Sequence, residues 1–232
     1  MKHPETLLNF PISGNQLKNF TIEEIGDDHL FTGIDTPLTE NAFDISDAEK
    51  KDKIADLFAQ IMLVMGLDLT DDSLKGTPKR VAKMYIDEIF SGLNPAKKPK
   101  IALFDNKYRY NQMLVEKNIQ FYSNCEHHFV PIFGKVHVAY ISSGKVIGLS
   151  KINRIVQYFT NRPQVQERLT NQIARELANV LDTEDIAVIV DAKHLCVASR
   201  GIKDDSSATV TSYYGGVFKN TEKIAELHNY LD

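Results

Sequence analysis

The order of apolar patterns along the chain predicts an α+β domain built on an antiparallel sheet. Three observations carry that reading. Two helical stretches precede residue 93, strand-like runs with tight turns follow, and two further helices then lead back into β-branched segments. A chain of 232 residues is long enough to bury a core as one large domain, or as one domain with an extension.

The first 45 residues are polar and broken by Pro4, Pro11, Gly14, Gly26, Gly33 and Pro37, which predicts an irregular extension. Ser46 followed by Glu49 reads as a capping box. Ile54, Leu57, Phe58, Ile61, Met62 and Met65 then recur at helical spacing up to Gly66. Thr77-Pro78 predicts a second helix with Thr77 as its N-cap, running through Val81, Met84, Tyr85 and Ile89 to Gly92. Strands are expected over 114–122 and 135–149, with a turn at Ser143-Gly144. Ser150 is placed to cap a short helix that Arg162-Pro163 breaks, and Val165 to Leu181 forms a longer one. Strands at 186–190 and 209–214 and a terminal helix over 219–231 complete the order. The division expected is 1–45 extension, 46–92 helical region and 93–232 catalytic domain.

A formal net charge of −4 argues against a general nucleic-acid binder, which needs concentrated positive charge. No apolar run approaches membrane-spanning length. Met1-Lys2-His3-Pro4 lacks the apolar core of a secretion signal, so the cytoplasm is the expected location. In such a setting, two cysteines flanked by histidines read as metal ligands or reactive thiols before a disulfide.

Those cysteines lie in Cys125-Glu126-His127-His128 and His194-Leu195-Cys196. A lone histidine is ordinarily a satisfied polar residue, and His3, His29, His137 and His228 are read so. Five Cys/His residues in two tight groups are not. Cys125 and His128, three apart, face the same way in a turn, while His127 points elsewhere. In an extended segment His194 and Cys196 share a face. The economical arrangement is Zn2+ held by Cys125, His128 and Cys196, with His127 and His194 as acid–base groups. A closed four-ligand site using another histidine is the rival.

Gly148-Leu149-Ser150-Lys151-Ile152-Asn153-Arg154 places a helix start beside two cations, as a phosphate cradle does; a solvated basic helix start is the plainer reading. Arg200 adds a cation close to Cys196, and Arg80 and Lys83 share a face of the second helix. Glu167, beside Gln166, suits the dipole of a first turn. The same carboxylate matches the paired N–H donors of a guanine edge.

Taken together, these motifs resemble zinc-dependent GTP cyclohydrolase I. The resemblance rests on Cys125-Glu126-His127-His128-Phe129, the 148–154 and 162–169 segments, His194-Leu195-Cys196-Val197, Thr77-Pro78-Lys79-Arg80-Val81-Ala82-Lys83 and Thr209-Val210-Thr211-Ser212. It covers about 47–218. It implies a tunnelling fold (T-fold), an antiparallel sheet with helices on one side, assembled as a toroidal homodecamer, a dimer of pentamers. The implied reaction converts GTP and water into formate and 7,8-dihydroneopterin triphosphate, the first step of tetrahydrofolate synthesis. The zinc ligands implied are Cys125, His128 and Cys196, and the catalytic histidines His127 and His194. Glu167 with Gln166 would hold the guanine, and Ser150, Lys151, Arg154 and Arg200, with Arg80 and Lys83, the ribose and triphosphate. Gly76 stands where an acidic residue is common. The competing readings are a zinc deaminase, whose Pro-Cys-x-x-Cys signature the chain lacks, and a non-catalytic zinc or nucleotide-binding module.

Overall fold

A computed structural model of the chain describes residues 33–231. Of the expected extension, residues 33–45 are described and contain bends and a turn but no helix or strand; residues 1–32, with His3 and His29, lie outside the described residues. Helix α1 spans Asp47–Val64, with the Ser46 hydroxyl accepting the Glu49 N–H at 3.2 Å, one half of the expected box. Helix α2 covers Thr77–Lys83 and continues as a π-helical turn over Met84–Ile89.

The sheet follows. Strands β1 (Leu103–Asp105) and β4 (Lys145–Ile147) form a small ribbon, while β2 (Leu114–Cys125), β3 (Pro131–Tyr140), β5 (Pro163–Gln164), β6 (Ile186–His194) and β7 (Thr209–Tyr214) form the main sheet. Its order is β5-β2-β3-β6-β7, antiparallel except for the two-residue β5 beside β2. Helices α3 (Leu149–Thr160) and α4 (Gln166–Leu181) lie between and beside these strands, followed by a short α5 (Leu195–Ala198) and the terminal α6 (Thr221–Leu231).

Side-chain alternation decides what each face carries. Ile119 and Phe121 of β2, Val136 and Val138 of β3, and Ile186, Val188 and Val190 of β6 are buried with Ile152, Ile155 and Val156 of α3 and Leu169, Ile173 and Leu177 of α4. This is the main core, and it matches the α+β T-fold expectation. The opposite face is covered at one end by a second cluster, in which Phe218 and Leu227 pack on Ala139, Ala187 and Ile189. The terminal helix therefore lies on the face away from α3 and α4.

Two expected caps are corrected. Gly76, not Thr77, is the N-cap of α2, and Gly148, not Ser150, is the N-cap of α3; neither makes a side-chain cap bond. Arg80 occupies the space over Gly76, where an added Cβ would lie 2.7 Å from its guanidinium. The expected strand at 186–190 extends to His194, because β6 stays paired with β3 as far as Ile132. Close backbone approach permits that pairing: a Cβ on Gly134 would sit 2.0 Å from the Asp191 carbonyl oxygen. The polar readings of His137 and His228 agree with the structure. His137 accepts the Asn118 N–H through Nδ1, and His228 Nε2 lies 3.3 Å from the Tyr214 hydroxyl.

Candidate metal centre and active site

The inward series of β2 and β6 both end at the same edge of the core. Cys125 follows Ile119, Phe121 and Ser123 on β2, and His194 follows Val188, Val190 and Ala192 on β6. Pairing of Asn124 with Pro131, and of Ile132 with His194, brings the two strand ends together. Two sequence segments almost seventy residues apart thus meet because of strand register alone.

The hairpin between β2 and β3 shapes the first cluster. The Phe129 N–H donates to the Cys125 carbonyl, and the Cys125 N–H to the Val130 carbonyl, both at 2.9 Å. Phe129 adopts a left-handed conformation (φ 54°) that closes the turn, and Asn124 Nδ2 holds its carbonyl at 3.1 Å. Its ring packs against Tyr85 and Phe90, which brings the helical region against the hairpin.

Within this turn the Cys125 Sγ accepts the His128 backbone N–H at 3.3 Å and lies 3.5 Å from His128 Nδ1. Cys196 completes the group, its ligand atom within 4.8 Å of the other two. The extended placement expected for Cys196 is corrected: β6 ends at His194, and Cys196 lies in α5. A tetrahedral zinc site with bonds of about 2.0–2.3 Å has edges of about 3.5–3.8 Å, so the Cys125–His128 separation already fits one edge. Burial, then the neighbouring Cys125 sulfur, push the Cys196 thiol up, and Arg200 pulls the other way. Two close thiols and an imidazole therefore suit a soft divalent cation, whose binding displaces their protons.

His127 and His128 diverge, with ring planes 74° apart and centroids 6.3 Å apart. The His127 side chain is 43% exposed. His194 is held differently. Gln166 donates both amide hydrogens, to the Val190 carbonyl at 3.0 Å and the Thr209 carbonyl at 2.8 Å. Its Oε1 must then accept, so His194 Nε2, 2.7 Å away, carries the proton and Nδ1 the lone pair. Burial lowers the His194 pKa while Glu167 raises it in part, so the ring is neutral at pH 7.

Gln166, which the resemblance places at the guanine with Glu167, is buried and hydrogen-bonds His194. Glu167 is exposed and close enough to His194 to act on its charge. Arg200 Nη1 lies 3.0 Å from His128 Nε2. The other predicted anion contacts are dispersed. Arg80 donates to the Ser73 carbonyl and the Thr77 hydroxyl, and Lys83 is exposed at the end of α2. Arg154 lines a cavity of about 500 Å³ with Ser91, Lys97 and Tyr158. Ser150 and Lys151 open α3, next to the β4 end where Ile147 meets the Tyr140 hydroxyl. Sequence reasoning missed Arg168, which is buried against Glu126; an Arg inside an otherwise amphipathic helix was the available signal.

An α+β fold with a Cys–His–Cys cluster at the sheet end and two further histidines beside it has the parts of a metal-dependent hydrolase. The sequence model of the GTP cyclohydrolase I family matches residues 54–231. The chain is 60% identical over 210 residues to GTP cyclohydrolase 1 of Flavobacterium johnsoniae, covering 90% of this chain and 94% of that protein. It is 54% identical to the protein of that name from Aeromonas salmonicida (81% and 85% covered) and 53% to that of Vibrio cholerae (81% and 86%). The chain belongs to the GTP cyclohydrolase I family.

Proposed function

We propose that the protein is a zinc-dependent GTP cyclohydrolase I, opening the guanine ring of GTP at C8 with release of formate and rearrangement to 7,8-dihydroneopterin triphosphate. The observation that carries this reading is the set of three ligand atoms from Cys125, His128 and Cys196 within 4.8 Å of one another, next to two histidines in different settings. Cys125, His128 and Cys196 would hold zinc, which when bound would supply an activated water with a pKa of about 7.

The remaining work falls to the chain's own groups. Guanine C8 becomes electrophilic when N7 is protonated, so an imidazole acid must stand at N7. His127, set apart from the metal-facing His128, takes that role, and His194 takes up protons through Nδ1. A protonated His194 is stabilised by Glu167, whose carboxylate also matches the guanine edge. After water adds at C8 the ring opens and a second hydrolysis frees formate; the ribose then opens and rearranges before the new ring closes. Were His128 to hold the metal through Nδ1, the nitrogen beside Cys125, its proton would stay on Nε2, and Arg200 would be free to meet phosphate. The triphosphate is a handle and is not cleaved.

Topology supports a site shared between copies. The ligands sit where β3 begins, while Ser150 and Lys151 sit beyond its other end. Ten residues of strand span about 30 Å, longer than a nucleoside triphosphate's guanine-to-phosphate reach. The Ser150 and Lys151 contacts of one copy therefore join Arg200 at the metal centre of another, in keeping with the toroidal homodecamer the family resemblance implies. Among the described residues no helix is long and apolar enough to cross a membrane.

The test is purified protein with GTP, following formate and the pterin absorbance together. Equimolar formate and pterin are expected. Ammonia in place of formate identifies a deaminase, and bound but unchanged GTP on zinc-loaded protein identifies a binding module; either result overturns the reading.

A further inference from the structure

Glu126 stands between a metal ligand and His127, and neither zinc nor substrate binding gives it a task. Its side chain is 20% exposed, and both oxygens meet Arg168: Oε2 pairs with Nη1, and Oε1 lies 3.2 Å from Nη2. The Arg168 side chain is 2% exposed, and its Nε donates to the Gly33 carbonyl at 2.8 Å. The same Glu126 Oε1 lies 3.9 Å from His127 Nε2. Arg168 belongs to the first turn of α4, the turn that also carries Gln166 and Glu167.

A buried ion pair is weak evidence for stability, because apolar residues of the same size fill such a space as well or better. A bidentate guanidinium–carboxylate pair does one thing that apolar packing does not: it fixes direction. Here it ties the metal-bearing hairpin to α4 in one orientation and leaves a carboxylate oxygen facing the His127 ring. The peptide Gly33–Asp35 covers the arrangement from outside. Arg168, Gln172 and Arg175, spaced along one side of α4, engage the Gly33 carbonyl, the Ile34 carbonyl and the Asp35 carboxylate in turn.

We propose that Glu126 and Arg168 are positioning residues that set the His127 imidazole against the substrate-facing turn of α4. This rests on the reading of His127 as a proton carrier. The pair acts on geometry, so its loss lowers turnover and leaves the metal in place.

The test uses three variants of the zinc-loaded protein: Glu126→Gln, the double variant Glu126→Leu/Arg168→Met, and His127→Ala as reference. In Glu126→Gln, zinc content and the thiolate charge-transfer band of the cobalt(II)-substituted protein are expected to match the wild type. Its kcat falls about 10–100-fold, the usual cost of losing an orienting partner, while KM for GTP moves by less than about twofold. The double variant keeps a thermal midpoint at least that of the wild type but shows the same loss of kcat. Recovery of wild-type kcat together with stability in the double variant overturns the proposal, because the pair is then only packing. An unchanged kcat in Glu126→Gln overturns it equally. Wild-type turnover in His127→Ala defeats the proton-carrier reading itself, which the first two variants do not address.

Discussion

Replacing Cys196 by Ala is expected to abolish zinc binding and to reduce GTP turnover to below about one hundredth of wild type, because on the proposed mechanism an activated water at neutral pH depends on the metal. The sequence places Cys196 almost seventy residues from the other ligands, yet the pairing of β6 with β3 brings its thiol to the same point as Cys125 and His128. With one thiolate gone, a Cys–His pair on a single turn remains, and two ligands from one hairpin hold zinc far less tightly than three from two segments. The fold itself should survive. Cys196 is only partly buried and packs at the margin of the main core, so the chain keeps its far-ultraviolet circular dichroism. Metal analysis after gel filtration decides the matter. Stoichiometric zinc in Cys196→Ala shows that another residue completes the site.

The two histidines proposed as acid–base groups, His127 and His194, are expected to part company when each is changed to Ala. General acid–base groups contribute about 10²–10⁴-fold to rate, and kcat falls within that range in both variants, with zinc retained. Stability separates them. The His127 side chain is 43% exposed, so its removal leaves the unfolding midpoint close to wild type. His194 donates to the Oε1 of Gln166, a buried amide whose other bonds go to Val190 and Thr209. Without the imidazole that oxygen is orphaned, at a cost of about 1–3 kcal/mol. Urea unfolding of the two variants checks the difference. Equal midpoints contradict a stabilising hydrogen bond between His194 and Gln166.

Much of the site was legible in sequence because it is local. Cys125 and His128 share a turn, and three-residue spacing says so without any fold. Strand β7 and the starts of α1 and α4 also followed from local pattern, since Ser46 caps in sequence and Pro163 ends α3 in sequence. What was not legible depends on partners far along the chain. The bonds from the Gln166 amide to the Val190 and Thr209 carbonyls are invisible in sequence, because both partners lie on distant strands. Cys196 looks extended with His194 until β6 ends and α5 begins. The π-helical turn over Met84–Ile89 leaves no mark on an apolar period that reads as ordinary helix. Gly76 and Gly148 cap helices that the neighbouring Thr77 and Ser150 were better equipped to cap, because Arg80 occupies the space over Gly76 and the Gly148 carbonyl receives the Lys151 N–H.

One copy is expected to supply the metal centre with Arg200, and another the Ser150 and Lys151 phosphate contacts, because those two groups lie beyond opposite ends of β3. Complementation tests it most directly. His127→Ala and Lys151→Ala proteins, each inactive alone, are unfolded together, refolded as mixed oligomers and assayed for formate from GTP. If each site draws on two chains, random mixing at equal amounts restores about one quarter of the sites. A mixture that stays as inactive as its parents, with hybrid oligomers confirmed by mass spectrometry, would show that every site is built within a single chain.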